Sequence, residues 1–121
     1  METRPLVMVV DDDDDIRESV SLLLSDEGYD VITAPNGAVA LHELNQGVHP
    51  SLIVLDLMMP VMSGWEFRDR QLHDANLATI PVIVLTAAGE PLGNLGGARV
   101  LSKAAGARVL LAAVERAVAA G

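Results

Sequence analysis

The chain has 121 residues, half of them hydrophobic, no cysteine and a formal net charge of −9. That length and apolar content fit one folded domain spanning 1–121 and exclude a disordered chain. The charge argues against a nucleic-acid surface, which needs excess Lys and Arg, and favours divalent cations or basic protein patches as partners.

Aromatic residues number three, Tyr29, Trp65 and Phe67, so the core has to be built from Val, Leu, Ile, Ala and Met. Without cysteine there is no disulfide framework and no thiolate metal site, which suits a cytoplasmic location. The longest apolar runs stop well short of the roughly 20 residues a membrane helix needs. Glu2, Arg4 and the acids beyond them are not expected to form a signal peptide.

In chain order, residues 6–10 form a continuous apolar run that ends in five consecutive aspartates, Asp11 to Asp15. Ile16, Val20, Leu23 and Leu24 then fall on one helical face, and Gly28 stands where a C-terminal cap belongs. Residues 29–34 alternate, as a strand near a sheet edge does. Asn36 can cap a helix carrying Val39, Ala40 and Leu44, closed by Gly47. A second continuous run, 52–55, leads to Asp56; Ser63 or Gly64 opens a helix bearing Trp65, Phe67 and Leu72. A third run, 82–85, leads to Thr86. Helix is due next, but Gly89, Pro91, Gly93, Gly96 and Gly97 crowd the segment. Each interior glycine costs about 1 kcal/mol, so a short or irregular fourth helix is predicted. A weaker run over 99–101 precedes Lys103, and 107–120 repeats Leu110, Leu111, Val114 and Val118 at helical spacing.

Strand then helix, five times over, predicts an α/β fold: a doubly wound five-stranded parallel sheet with helices on both faces. Ligands of such sheets bind at the carboxyl ends of the strands. Asp11, Asp12, Asp56, Thr86 and Lys103 all come after apolar strands at that end. Asp14 and Asp15 suit a first helical turn, and Asp13 a structural role. Two like charges about 4 Å apart cost on the order of 4 kcal/mol at an effective dielectric of 20. A hard divalent ion removes that repulsion, and Mg²⁺ fits it best. A calcium loop fails on spacing, with Ile16 and Leu22 where glycine and a bidentate glutamate belong.

Val9-Val10-Asp11-Asp12, Asp56-Leu57-Met58-Met59-Pro60 with Ser63-Gly64, Val84-Leu85-Thr86-Ala87-Ala88, and Lys103 together resemble the receiver domain of two-component response regulators, the CheY-like family. The resemblance implies five helices, and a phosphoprotein in which Asp56 takes a phosphoryl group from a histidine kinase or phosphotransfer protein and becomes an aspartyl phosphate. It implies Mg²⁺ held by Asp11, Asp12, Asp56 and the backbone carbonyl of Met58. Thr86 would hydrogen-bond a phosphoryl oxygen and Lys103 would pair with it. The chemistry would be that of a signalling domain rather than a turnover enzyme, with a possible downstream protein partner and no direct contact with nucleic acid or membrane.

Pro60 and Gly64 read as backbone devices, and Met58, Met59 and Met62 as packing. His42, His49 and His73 have no metal spacing and are assigned no role. Four departures from the family lie beyond Thr86. Ala104 replaces the proline after the lysine, so a trans peptide and an altered lysine approach are expected. Val100 replaces an aromatic switch residue. The interval from Thr86 to Lys103 is short and glycine-rich. Ala104 to Ala107 leave the last helix without an obvious cap. Together they predict signalling through another surface, such as that of the first helix, or relay without a large shape change. Met58 and Ala88, at positions that manage the hydrolytic water in the family, predict slow autodephosphorylation. Two other readings compete. One is a pseudo-receiver that binds proteins without phosphorylation; the other is a Mg²⁺-dependent phosphohydrolase, for which Met58 stands where an acid is needed.

Overall fold

The computed structural model describes residues 4–87 and 92–120. Five strands, β1 (Leu6–Val10), β2 (Asp30–Ala34), β3 (Leu52–Asp56), β4 (Val82–Thr86) and β5 (Arg99–Ser102), form one parallel sheet in the order β2-β1-β3-β4-β5. The helices are α1 (Asp14–Asp26), α2 (Gly37–Asn45), α3 (Gly64–Leu72) and α4 (Ala107–Ala120), with a single 3-10 turn over Lys103–Ala105.

The strands alternate between two cores, as the period of two requires. Met8, Val10, Ile53, Leu55, Val82 and Val84 pack with Ala40, Leu44 and Phe67 from α2 and α3. Val7, Val9, Leu52, Val54, Ile83 and Leu85 pack with Leu24 from α1 and with Leu110 and Val114 from α4. β3 and β4 are buried throughout, which is why their sequences run apolar without interruption. β2 is an edge strand with its first four residues partly or fully exposed, as its alternating sequence predicts.

Local chemistry sets the helix ends. The Asp13 carboxylate accepts from the Asp15 and Ile16 amides, so Asp13 is the N-cap of α1, while Asp14 and Asp15 fill its first turn. Asn36 and Ser63 cap α2 and α3 in the same way. After α1 the chain reverses through Gly28 at φ 97°, a conformation costly for any residue with a Cβ. α4 begins after Gly106, whose carbonyl accepts from Leu110, and has no side-chain N-cap. The hydroxyl of Ser102 instead caps the 3-10 turn at Ala104, fixing the turn that carries Lys103.

No helix lies between β4 and β5 among the described residues; 92–98 is irregular, and Gly89 and Pro91 fall outside them. Four helices are therefore described rather than the five the resemblance implies. Side chains of α3 hold the irregular segment in place of helix packing. Trp65 Nε1 donates to the Leu92 carbonyl at 2.7 Å, and Arg68 donates to the carbonyls of Leu95 and Gly96 at 2.9 and 3.2 Å. Arg68 and Gln71 are both buried, and Gln71 accepts from Arg68 while donating to the Leu77 and Ile80 carbonyls. Neither residue stands out in sequence, although Gln71 lies one turn along the helical face of Phe67. Arg68→Ala strips two partly enclosed carbonyls and Gln71 of donors. It is expected to cost about 3 kcal/mol, measured as a lower urea midpoint with an unchanged slope.

Leu72 is 39% exposed and contributes less to the core than its helical spacing implies. Met59 and Met62 are buried as expected, but Met58 is 57% exposed and its assignment to packing is corrected. The reason is alternation: Leu57, directly before it, turns fully inward, so Met58 faces solvent beyond the strand end.

Candidate phosphoacceptor and metal site

The strand register assembles the site. Val10 pairs with Leu55 and Asp56 with Leu85, so Asp11 stands level with Asp56, and Thr86 lies one residue further out. Thr86 in turn pairs with Ser102, which puts Lys103 one step beyond. With β1 flanked by β2 and β3, the chain reverses its direction of winding between β1 and β3, and the crevice opens there. Asp11 and Asp56 occupy the two sides of that crevice.

Asp11 and Asp56 are each only 3% exposed, Thr86 is buried, and Asp12 is exposed at the mouth. Carboxylate oxygens of Asp11, Asp12 and Asp56 lie within 4.8 Å of one another. Lys103 Nζ is 3.0 Å from Asp56 Oδ1 and 3.4 Å from Asp11 Oδ2. The lysine therefore reaches the acids with Ala104 after it, and no cis peptide occurs among the described residues.

Burial raises the Asp56 carboxyl from 3.8 to about 6; Lys103 opposes the rise, and Asp11 and Asp12 add to it. Burial also acts to lower the Lys103 ammonium, but Asp56 and Asp11 outweigh it and hold that group above its ordinary value. Asp56 Oδ1 is buried, and the Lys103 ammonium at 3.0 Å is the one positive charge that reaches it among the described residues. A carboxylate accepts several contacts, and one ammonium leaves part of that capacity open. Two further hard carboxylates beside this one fit Mg²⁺, with Asp11, Asp12 and Asp56 as the side chains able to hold it. When bound, that ion supplies charge neutralisation for an anionic transition state.

Sequence reasoning missed the groups that hold the acids in place. Arg17, one turn into α1, donates from Nη1 to the Asp11 carbonyl at 2.7 Å. The Asp13 amide donates to Asp11 Oδ1 at 2.9 Å. These contacts fix both the backbone and the carboxylate of Asp11. An arginine next to an acid run is an ordinary charge pair in sequence, and only the fold directs it at a backbone oxygen.

The loop after Asp56 is shaped by close contacts. The Met62 amide donates to the Pro60 carbonyl at 2.8 Å across Val61, which sits at φ 69°. That is a strained three-residue turn for a β-branched side chain. Gly64 N donates to the Leu57 carbonyl at 2.9 Å, and a Cβ at Gly64 would lie 2.2 Å from the Asp56 carbonyl oxygen. Both backbone devices read from the sequence, Pro60 and Gly64, are in use here. Met58 places its backbone two residues after Asp56, and Ala88 lies outside the described residues. None of the three histidines joins the cluster; His73 meets Asp69 on its own helix.

Comparison with known proteins agrees with this architecture. Residues 7–115 match the family model described as "Response regulator receiver domain". The chain is 40% identical over 91 residues to the transcriptional regulatory protein CpxR homolog of Haemophilus influenzae, covering 75% of this chain and 38% of that one. It is 44% identical over 86 residues to response regulator RR06 of Streptococcus pneumoniae, covering 69% of this chain and 37% of the relative. It thus spans less than two fifths of the length of these relatives. Among solved structures, the signal receiver domain of a histidine kinase from Syntrophus aciditrophicus superposes with a TM-score of 0.90 at 27% identity, over 96% of this chain and 91% of that one. The chemotaxis protein CheY4 of Vibrio cholerae superposes with a TM-score of 0.83 at 31% identity, over 95% and 99%. The strand order, the acid crevice and these matches agree: the chain belongs to the response regulator receiver domain family of two-component systems.

Proposed function

We propose that the domain accepts a phosphoryl group on Asp56, in a Mg²⁺-dependent reaction, from a phosphohistidine of a kinase or phosphotransfer protein. The observation that carries the proposal is the buried Asp56 carboxylate gathered with Asp11 and Asp12 and met by the Lys103 ammonium at 3.0 Å. With its pKa raised to about 6, the carboxyl is mostly ionised at neutral pH while remaining more basic than an ordinary aspartate. That combination suits a nucleophile. An Asp56 oxygen attacks phosphorus as the bond from the histidine nitrogen breaks, and the charge on the transferring oxygens needs electrostatic compensation more than proton chemistry. Lys103 supplies one fixed positive charge at 3.0 Å from the nucleophile. Thr86, at the end of the neighbouring strand, stands on the same rim as a hydroxyl donor for a phosphoryl oxygen. The Met58 backbone carbonyl is assigned to the metal shell.

Intact mass after incubation with a small acyl phosphate tests this directly. One added phosphoryl group is expected on the wild type with Mg²⁺, and none with chelator or in Asp56→Asn. Modification that survives in Asp56→Asn would sink the assignment.

The phosphorylated form is expected to be long-lived, because Met58, at one of the two water-managing positions, offers no strong hydrogen-bonding group. Its half-life should run to many minutes, read from the decay of the phosphorylated mass after donor removal. Loss within seconds would contradict this. The output route belongs to the same proposal. The irregular 92–98 segment lacks the helix through which receivers ordinarily report, so phosphorylation is read out at another face, such as that of α1. Among the described residues no helix is long and apolar enough to cross a membrane, and the reducing-compartment composition supports a cytoplasmic site of action.

A further inference from the structure

We infer that the domain carries a second ligand site, for a small polyvalent oxyanion, at the opposite end of the sheet from Asp56. The charge distribution points there. The chain has only eight Lys and Arg against 17 Asp and Glu. Among the described residues, Arg4, Arg17, Arg70 and Lys103 each have a carboxylate oxygen within 4.0 Å. Arg68, Arg99, Arg108 and Arg116 have none from any described residue. Three of these four, Arg68, Arg99 and Arg116, line a single cavity of about 340 Å³, and none of the described residues in its wall is Asp or Glu. In a protein of net charge −9, arginines without a carboxylate partner among the described residues are few, and three of them meet at this cavity.

The three come from different elements: Arg68 from α3, Arg99 from the start of β5 and Arg116 from the second half of α4. Pro81 and Val82 at the start of β4 complete the floor, so the cavity lies roughly 13 Å from Thr86 at about 3.3 Å per strand residue. It is therefore separate from the phosphoacceptor crevice.

Arg68 makes this a built site rather than a loose patch. It is only 7% exposed. Three of its N–H groups are spent on the Leu95 and Gly96 carbonyls and on Gln71, which fixes the guanidinium plane. Two of its five N–H groups remain, with no carboxylate to receive them among the described residues. Arg99 and Arg116 are exposed and free to close over a ligand. A fixed guanidinium with two mobile ones suits bidentate recognition of phosphoryl or carboxylate oxygens. The volume is that of a small ligand rather than an extended chain.

Amide NMR titration of the Mg²⁺-free protein with pyrophosphate and, separately, citrate tests the site. Without Mg²⁺ the Asp11, Asp12 and Asp56 cluster repels anions, so the two sites do not compete. Saturable shifts are expected at Ala98, Arg99, Ala113 and Arg116, weakening with added salt. Affinity should fall at least ten-fold in the double variant R99Q/R116Q, both positions being exposed and outside the core. Phosphoryl acceptance on Asp56 should be unchanged in that variant. Saturation by pyrophosphate alone assigns a phosphoryl-bearing ligand, and by citrate alone a polycarboxylate. Non-saturating shifts, shifts centred on Lys103, or binding that survives R99Q/R116Q would overturn the inference. So would binding of a hexaglutamate peptide where neither small anion binds, since that would make the surface a protein-docking face.

Discussion

Gly64→Ala is expected to cost about 3 kcal/mol and to take phosphoryl acceptance down with it, although the residue holds no side chain. The added Cβ would meet the Asp56 carbonyl oxygen at 2.2 Å and the Leu57 Cα at 2.8 Å. Both are backbone atoms of a buried strand end, so they cannot rotate away as a side-chain tip would. Relief requires shifting the segment that aims the Asp56 carboxylate, and the Gly64 amide would lose its 2.9 Å bond to Leu57. Gly28→Ala is the matched control. Gly28 has φ 97° and nothing within 4 Å of its Cβ position, so only backbone strain of about 1 kcal/mol is expected, with acceptance on Asp56 intact. Urea denaturation and the phosphorylated mass together check the pair. Equal stability losses in the two variants, or a fully active Gly64→Ala, would show that the close approach is not what holds the site.

The second large effect is a pH-dependent gain of stability in Asp56→Asn. The wild-type carboxyl has a folded pKa raised to about 6 against an ordinary 3.8, mainly by burial. A group whose folded pKa is raised contributes its full stability below the unfolded pKa and loses it as pH rises through the folded value. Between pH 4 and 6 the folded wild type therefore loses stability as Asp56 ionises beside Asp11 and Asp12. Asparagine has no such ionisation. In metal-free buffer at pH 8 the variant should exceed the wild type by on the order of 2 kcal/mol, at about 1.4 kcal/mol per pKa unit less the lost Lys103 partner. At pH 4 the two should converge. Millimolar Mg²⁺ at pH 8 should narrow the gap by stabilising only the wild type, because a ligand of the native state shifts unfolding by mass action. A constant difference at both pH values would mean that Asp56 ionisation carries no such cost.

Much of this protein is legible in its sequence because strand periodicity and caps are local. The runs at 6–10, 52–55 and 82–85 are apolar at every position, which only a strand covered on both faces tolerates, and those strands are central. The caps Asn36 and Ser63 act within three residues of themselves, and so does Asp13, although the acid run hides which of its members is the cap. Asp56, Thr86 and Lys103 are visible as polar residues that end apolar strands, since a parallel sheet puts all such ends on one rim.

Long-range contacts were decided only by the tertiary structure. Arg17 closes on the Asp11 carbonyl, and Lys103 reaches Asp56 through a turn capped by Ser102, whatever the residue after it. Met58 faces water because Leu57 takes the inward place. The irregular 92–98 segment is held by Trp65 and Arg68, which sit 27 residues or more from the carbonyls they bind. Hydrogen bonds across such separations carry no periodicity in the chain; they exist only once the sheet has set which residues are neighbours.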